Sequence, residues 1–152
     1  MKLAEALIFR ADYQKRIEQI KQRLTRNAKI QEGDEPAETP ANLIKELERI
    51  TKELLMLIQR INATNSAVKL EKGLTISDAI AVRDVLRLKH TIYRDLAEAA
   101  TVTHDRYTKS EVKYRSTVNV SEIQKQADEF AKEHREIDAK IQEANWREDL
   151  FE

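Results

Sequence analysis

The sequence predicts an all-α chain of four helices, two or more of them long and coiled-coil-like, with a small β-hairpin between helices 3 and 4. Three observations predict it. Chain-breakers are scarce, with 2 Gly and 2 Pro in 152 residues. Charge is dense at 36%, and 27 Lys+Arg face 27 Asp+Glu. Apolar residues recur at three- and four-residue steps over most of the length. The size suits a single helical domain, 1–152. Zero net charge removes the bulk attraction to phosphate backbones and anionic lipid that a basic protein has. Absence of Cys excludes disulfides, thiolate zinc sites and cysteine nucleophiles. Glu5 and Arg10 interrupt the apolar start before it reaches signal-peptide length, and the run Leu54 to Ile58 is too short for a bilayer, so the expected location is cytoplasmic.

The first helix is expected over about 2–29. Leu3, Ala6, Tyr13, Ile17, Ile20 and Leu24 form a stripe that Arg10 interrupts, and Lys21, Arg23, Arg26 and Lys29 complement the helix C-terminus. Gly33, Pro36 and Pro40 then mark a long connection. The second helix, 40–65, opens on Thr39 as N-cap with Pro40 at the first helical position. Its 4-3-4-3-4 stripe Leu43, Leu47, Ile50, Leu54, Leu57, Ile61 is widened by Ile44, Leu55 and Ile58. Thr75 with Asp78 predicts a capping box for the third helix, 76–100, whose arc Ala79, Val82, Val85, Leu86, Ile92, Tyr93, Leu96 and Ala97 is also wide. After Ala100 the period falls to two. Val112, Tyr114, Ser116 and Val118 alternate with charged and polar residues, which predicts a strand within a hairpin at about 101–118. Asn119 as N-cap and Glu122 at N3 open the fourth helix, 120–146, with the seam Ile123, Ala127, Phe130, His134, Ile137, Ile141, Ala144. Trp146, Leu150 and Phe151 are expected to dock a terminus that would otherwise fray.

Several segments together resemble a family. They are Arg26-Asn27-Ala28 with Gln31-Glu32-Gly33, then Ile61-Asn62-Ala63-Thr64-Asn65, Arg83-Asp84-Val85-Leu86, Ser110-Glu111-Val112-Lys113 and Ile141-Gln142-Glu143-Ala144-Asn145-Trp146. Nearly end to end and in order, the chain is similar to the small bacterial helical proteins called septicolysin, a domain of unknown function. The resemblance implies long helices in a coiled-coil arrangement. Its name implies a pore-forming cytolysin, and it supplies no catalytic or ligand residues. The sequence offers no export signal or membrane-lining helix for such a role, although the 111–118 strand has the length of a barrel strand.

A strand in a helical chain needs a partner for its backbone groups. Thr101-Val102-Thr103, the Val68 and Leu70 stretch, or the same strand of a second subunit can each provide one, which makes Val112, Tyr114 and Val118 candidate oligomer-interface residues. Glu32, Asp34, Glu35 and Glu38 lack the ligand spacing of a calcium loop and read as a solvated loop facing the basic end of helix one. His134 and Asp138 share a helical face, as two metal ligands would, but a lone seam histidine fits better as a packed core residue or register marker. No Ser-His-acid set, phosphate loop or HExxH occurs, so no catalytic, cofactor or metal residue is expected. The basic residues of helix one lack interleaved aromatics for nucleic acid. Asn62 and Asn65 cap a helix end, or line a small polar pocket with Arg83 and Asp84 if helix three folds back. Wide apolar arcs on helices two and three point to self-association. The leading reading is a cytoplasmic homo-oligomeric structural or interaction protein, with a pore-forming cytolysin or a small-molecule binder as alternatives.

Overall fold

The structure, a computed structural model, describes residues 1–102 and 112–152. The chain is nearly all α. Its order is α1 (Leu3–Arg26), α2 (Pro40–Ala67), β1 (Lys69–Glu71), β2 (Leu74–Thr75), α3 (Ile76–Ala100) and α4 (Val120–Arg147). Two compact units are distinguished, one of Met1–Lys69 with Gln142–Glu152 and one of Leu70–Ile141, so the single helix α4 contributes residues to both.

In the first unit α1 and α2 run antiparallel. Arg23 meets Glu46 at 3.8 Å near one end, and the Tyr13 hydroxyl donates to Glu53 at 2.9 Å further along. Leu3, Ala6, Ile20, Leu43, Ile50, Leu57 and Ile61 are buried and form the core of this unit. The helix α1 stops at Arg26, short of the end its basic run suggested. Asn27 turns its amide back onto the Arg23 carbonyl at 2.8 Å and accepts the Glu38 N–H at 3.1 Å, which closes the helix and ties in the loop. Pro40 takes the first position of α2, and the Thr39 carbonyl accepts from Asn42 and Leu43 at 3.0 and 3.2 Å while its hydroxyl makes no cap bond.

The C-terminal segment joins this unit through backbone bonds. Leu3 N–H donates to Glu148 O at 3.0 Å and Leu150 N–H to Met1 O at 2.9 Å, around an antiparallel bridge of Lys2 with Asp149. Phe151 N–H donates to the Thr64 hydroxyl at 2.9 Å, and Arg60 Nε to Phe151 O at 2.7 Å. Of the three apolar residues expected to dock there, Leu150 is buried, whereas Trp146 and Phe151 stay exposed because main-chain bonds hold the segment.

The second unit holds the hairpin apart from its first residue, Lys69, together with α3 and most of α4. The strands β1 and β2 are joined by a tight turn with Gly73 at φ 71°, the left-handed region that favours glycine. Thr75 ends β2 and starts α3 through the reciprocal capping box: Asp78 N–H donates to its Oγ1 and its own N–H to Asp78 Oδ2, both at 3.1 Å. Asn119 Oδ1 likewise accepts the Glu122 N–H at 3.1 Å at the start of α4. Antiparallel packing of α3 on α4 is fixed by Arg83 to Asp138 at 3.1 Å and by the Tyr93 and Phe130 rings, 5.0 Å between centroids.

The position of the hairpin differs from the expectation. The two-stranded sheet lies at 69–75, between α2 and α3. Residues 112–118 form no strand, and 103–111, the rest of the expected hairpin, lie outside the described residues. Val112 and Tyr114 stand exposed on irregular backbone, and just before α4 the Ser116 hydroxyl donates to Val118 O at 2.7 Å, the kind of turn that precedes a capped helix.

Candidate functional site

The helix α3 is apolar on two faces. On the face toward α4, Ile76, Ala79, Leu86 and Ala97 are buried, and Arg83, His90 and Tyr93 sit half-buried between them. His90 Nδ1 lies 2.9 Å from the Ala127 carbonyl. About a third of a turn away, at about 100° per residue, a second stripe faces outward. Its members and their exposures are Val82 42%, Val85 50%, Leu88 59%, Ile92 53% and Leu96 38%. Scattered exposed apolar residues are ordinary, but five at helical spacing on one face form a continuous band. Leu88, the most exposed of them, is absent from the arc read from the sequence, because the 3-4 count through Val85 and Ile92 passes equally well through Lys89.

Charges edge this band. Asp84 accepts from Arg83 Nε and Nη2 at 3.3 Å, and Asp95 from Arg94 at 3.2 and 3.1 Å. The Lys89 ammonium stands 5.4 Å from the centroid of the Phe130 ring. In α2, Ile44, Leu55 and Met56 are also about half exposed, so the surplus apolar surface is not confined to one helix.

The sequence-derived candidates fall as follows. Val112 and Tyr114 are 68% and 81% exposed, and Val118 is half-buried, all on irregular backbone. Asn62 and Asn65 belong to the first unit and Arg83 and Asp84 to the second, where Arg83 is committed to Asp84 and Asp138. Asp138 therefore faces Arg83, and His134, one turn earlier, keeps a buried Nε2 without a hydrogen-bond partner. Among the described residues no three His, Cys, Asp or Glu side chains converge as metal ligands would. No helix among them is long and apolar enough to cross a membrane.

Ion pairs in the first unit are peripheral. Glu38 grips Arg23 through both carboxylate oxygens, and this holds its carboxyl below the usual range. Glu53 is lowered first by the Tyr13 hydroxyl and then by Arg49, and the same bond raises Tyr13. Asp149 is lowered by Lys2, 2.9 Å away. Among the described residues two shallow hollows stand out, one along α2 beside Glu48, Arg49, Thr51 and Leu55, another between the end of α3 and the start of α4 beside Glu98, Ser121 and Gln124.

The crystal structure of a functionally unknown conserved protein from Corynebacterium diphtheriae superposes with a TM-score of 0.94, at 46% identity over 99% of both chains. No curated protein matches. A model for a family of unknown function, DUF6847, matches residues 10–150, and the chain belongs to that family.

Proposed function

We propose that the protein is a cytoplasmic homo-oligomer with a structural or interaction role and no catalysis of its own. The observation that carries this reading is the outward band of α3. Covering Val82, Val85, Leu88, Ile92 and Leu96 is favourable at about 25 cal/mol per Å² of apolar surface removed from water. A contiguous exposed apolar band of this kind is the usual mark of a partner. The zero net charge supports a partner of the same composition, since no bulk repulsion separates two copies.

Light scattering after size exclusion tests it, on the wild type and on a Leu88→Asp/Ile92→Asp variant. The wild type is expected to run as a discrete oligomer, and the variant as a monomer of unchanged helicity. A wild type that stays monomeric up to hundreds of micromolar overturns the reading. Dye release from liposomes would replace it with the cytolysin that the septicolysin resemblance implies. A melting-temperature shift with one metabolite of a panel would replace it with a ligand-binding role.

A further inference from the structure

We infer that the outward band of α3 is a parallel two-stranded seam between two copies of this chain; the inference rests on the homo-oligomer reading above. Exposure peaks on one line of the band, Val85 at 50%, Leu88 at 59% and Ile92 at 53%, with Val82 and Leu96 less exposed beside it. That line has the 3-4 step of a coiled-coil seam, with Ala81 one step before it. Val85 and Ile92 take the a layers, Ala81 and Leu88 the d layers. β-Branched residues at a with Leu at d favour two parallel strands.

The flanks select the same orientation. Asp84 and Thr91 lie on the g line, and Val82, Lys89 and Leu96 on the e line. In a parallel pair, g of one helix meets e of the next heptad in the other, which sets Asp84 against Lys89 of the second copy twice over. In an antiparallel pair g meets g and e meets e. Lys89 then finds no acid across the seam, and Asp84 no base beyond its own Arg83. Asp84, 59% exposed, can share its carboxylate between its own Arg83 and Lys89 of the second copy, and Lys89 stands 5.4 Å from the Phe130 ring.

The seam is short because its ends are marked. Asp78, at the preceding a position, is committed to the Thr75 cap, and Asp95, at the following d position, would place a carboxylate in the core of the seam. Four layers between them form an interface in the small class, below about 1,200 Å² in total, so the dimer is expected to depend on concentration.

Cysteine cross-linking decides, since the chain contains no Cys. Val85→Cys and Ile92→Cys are oxidised separately at a concentration where light scattering shows the dimer, with Glu129→Cys on the polar face of α4 as control. A parallel seam makes each variant cross-link with itself at least about tenfold faster than the control, its paired thiols being held at high effective concentration. Lys89→Glu is expected to dissociate the dimer, and Asp84→Lys/Lys89→Glu to restore it. Cross-linking only in a mixture of Val85→Cys and Leu88→Cys variants, which face each other across the a and d layers of an antiparallel pair, overturns the inference. A dimer that cross-links at neither position overturns it too, while leaving the homo-oligomer reading in place. Absence of any dimer sinks that underlying reading instead.

Discussion

The Thr64 hydroxyl, fully buried, donates to the Arg60 carbonyl at 2.8 Å and accepts the Phe151 N–H at 2.9 Å, so one oxygen links α2 to the C-terminal segment. Thr64→Val keeps the shape and removes the acceptor. It is expected to cost about 1–2 kcal/mol, read as a lower urea midpoint with unchanged helicity, because the Phe151 N–H is left part-buried without a partner. Tyr13 and Glu53 make a second prediction. The carboxyl of Glu53 is lowered in the folded state, so its contribution is present above the unfolded carboxyl value and lost as pH falls through the folded one, below 4.5. The phenol of Tyr13 is raised, so its contribution is present below 10.0 and lost as pH rises through its folded value. Tyr13→Phe should therefore flatten the pH dependence of unfolding at both the acid and the alkaline limb. An unchanged pair of limbs would show that the bond adds nothing to stability.

Among the elements, those specified by neighbouring residues were readable from the sequence. The Thr75 and Asp78 box and the Asn119 cap form as their spacing predicts, because each needs only a side chain and an N–H within one helical turn. Thr75→Ala is expected to cost about 1 kcal/mol, measurable by denaturant titration. Gly73→Ala, at φ 71°, is expected to cost about 1–2 kcal/mol and to loosen the hairpin, seen as faster hydrogen exchange at Leu74. The hairpin itself was harder to read. Strands of three and two residues are too short to show a period, whereas 111–118 shows one although Val112 and Tyr114 lie exposed on irregular backbone. The reason lies in packing: alternation marks a strand only where a second surface buries one of its faces. The candidate site was half legible for the same reason. The width of the α3 arc was visible, but which residues face α4 and which face outward depends on Arg83 meeting Asp138, a pairing 55 residues apart in the chain.

At the scale of the whole molecule, the two apolar faces of α3 have a consequence for how the chain finds its structure. A helix greasy on two sides can lie down on either, since the outward band offers α4 an apolar surface too. What separates the two arrangements is polar. Rolled by about a third of a turn, α3 would carry Arg83 into water and leave Asp138 facing Val82 and Val85 with no cation. The salt bridge, with the Arg83 side chain 21% exposed, thus works as a key that fits one seating only, whatever it adds to stability. An Arg83→Met/Asp138→Met protein is expected to stay as helical and at least as resistant to urea as the wild type, yet to give doubled amide signals from α3 in NMR spectra, one set for each way of lying down.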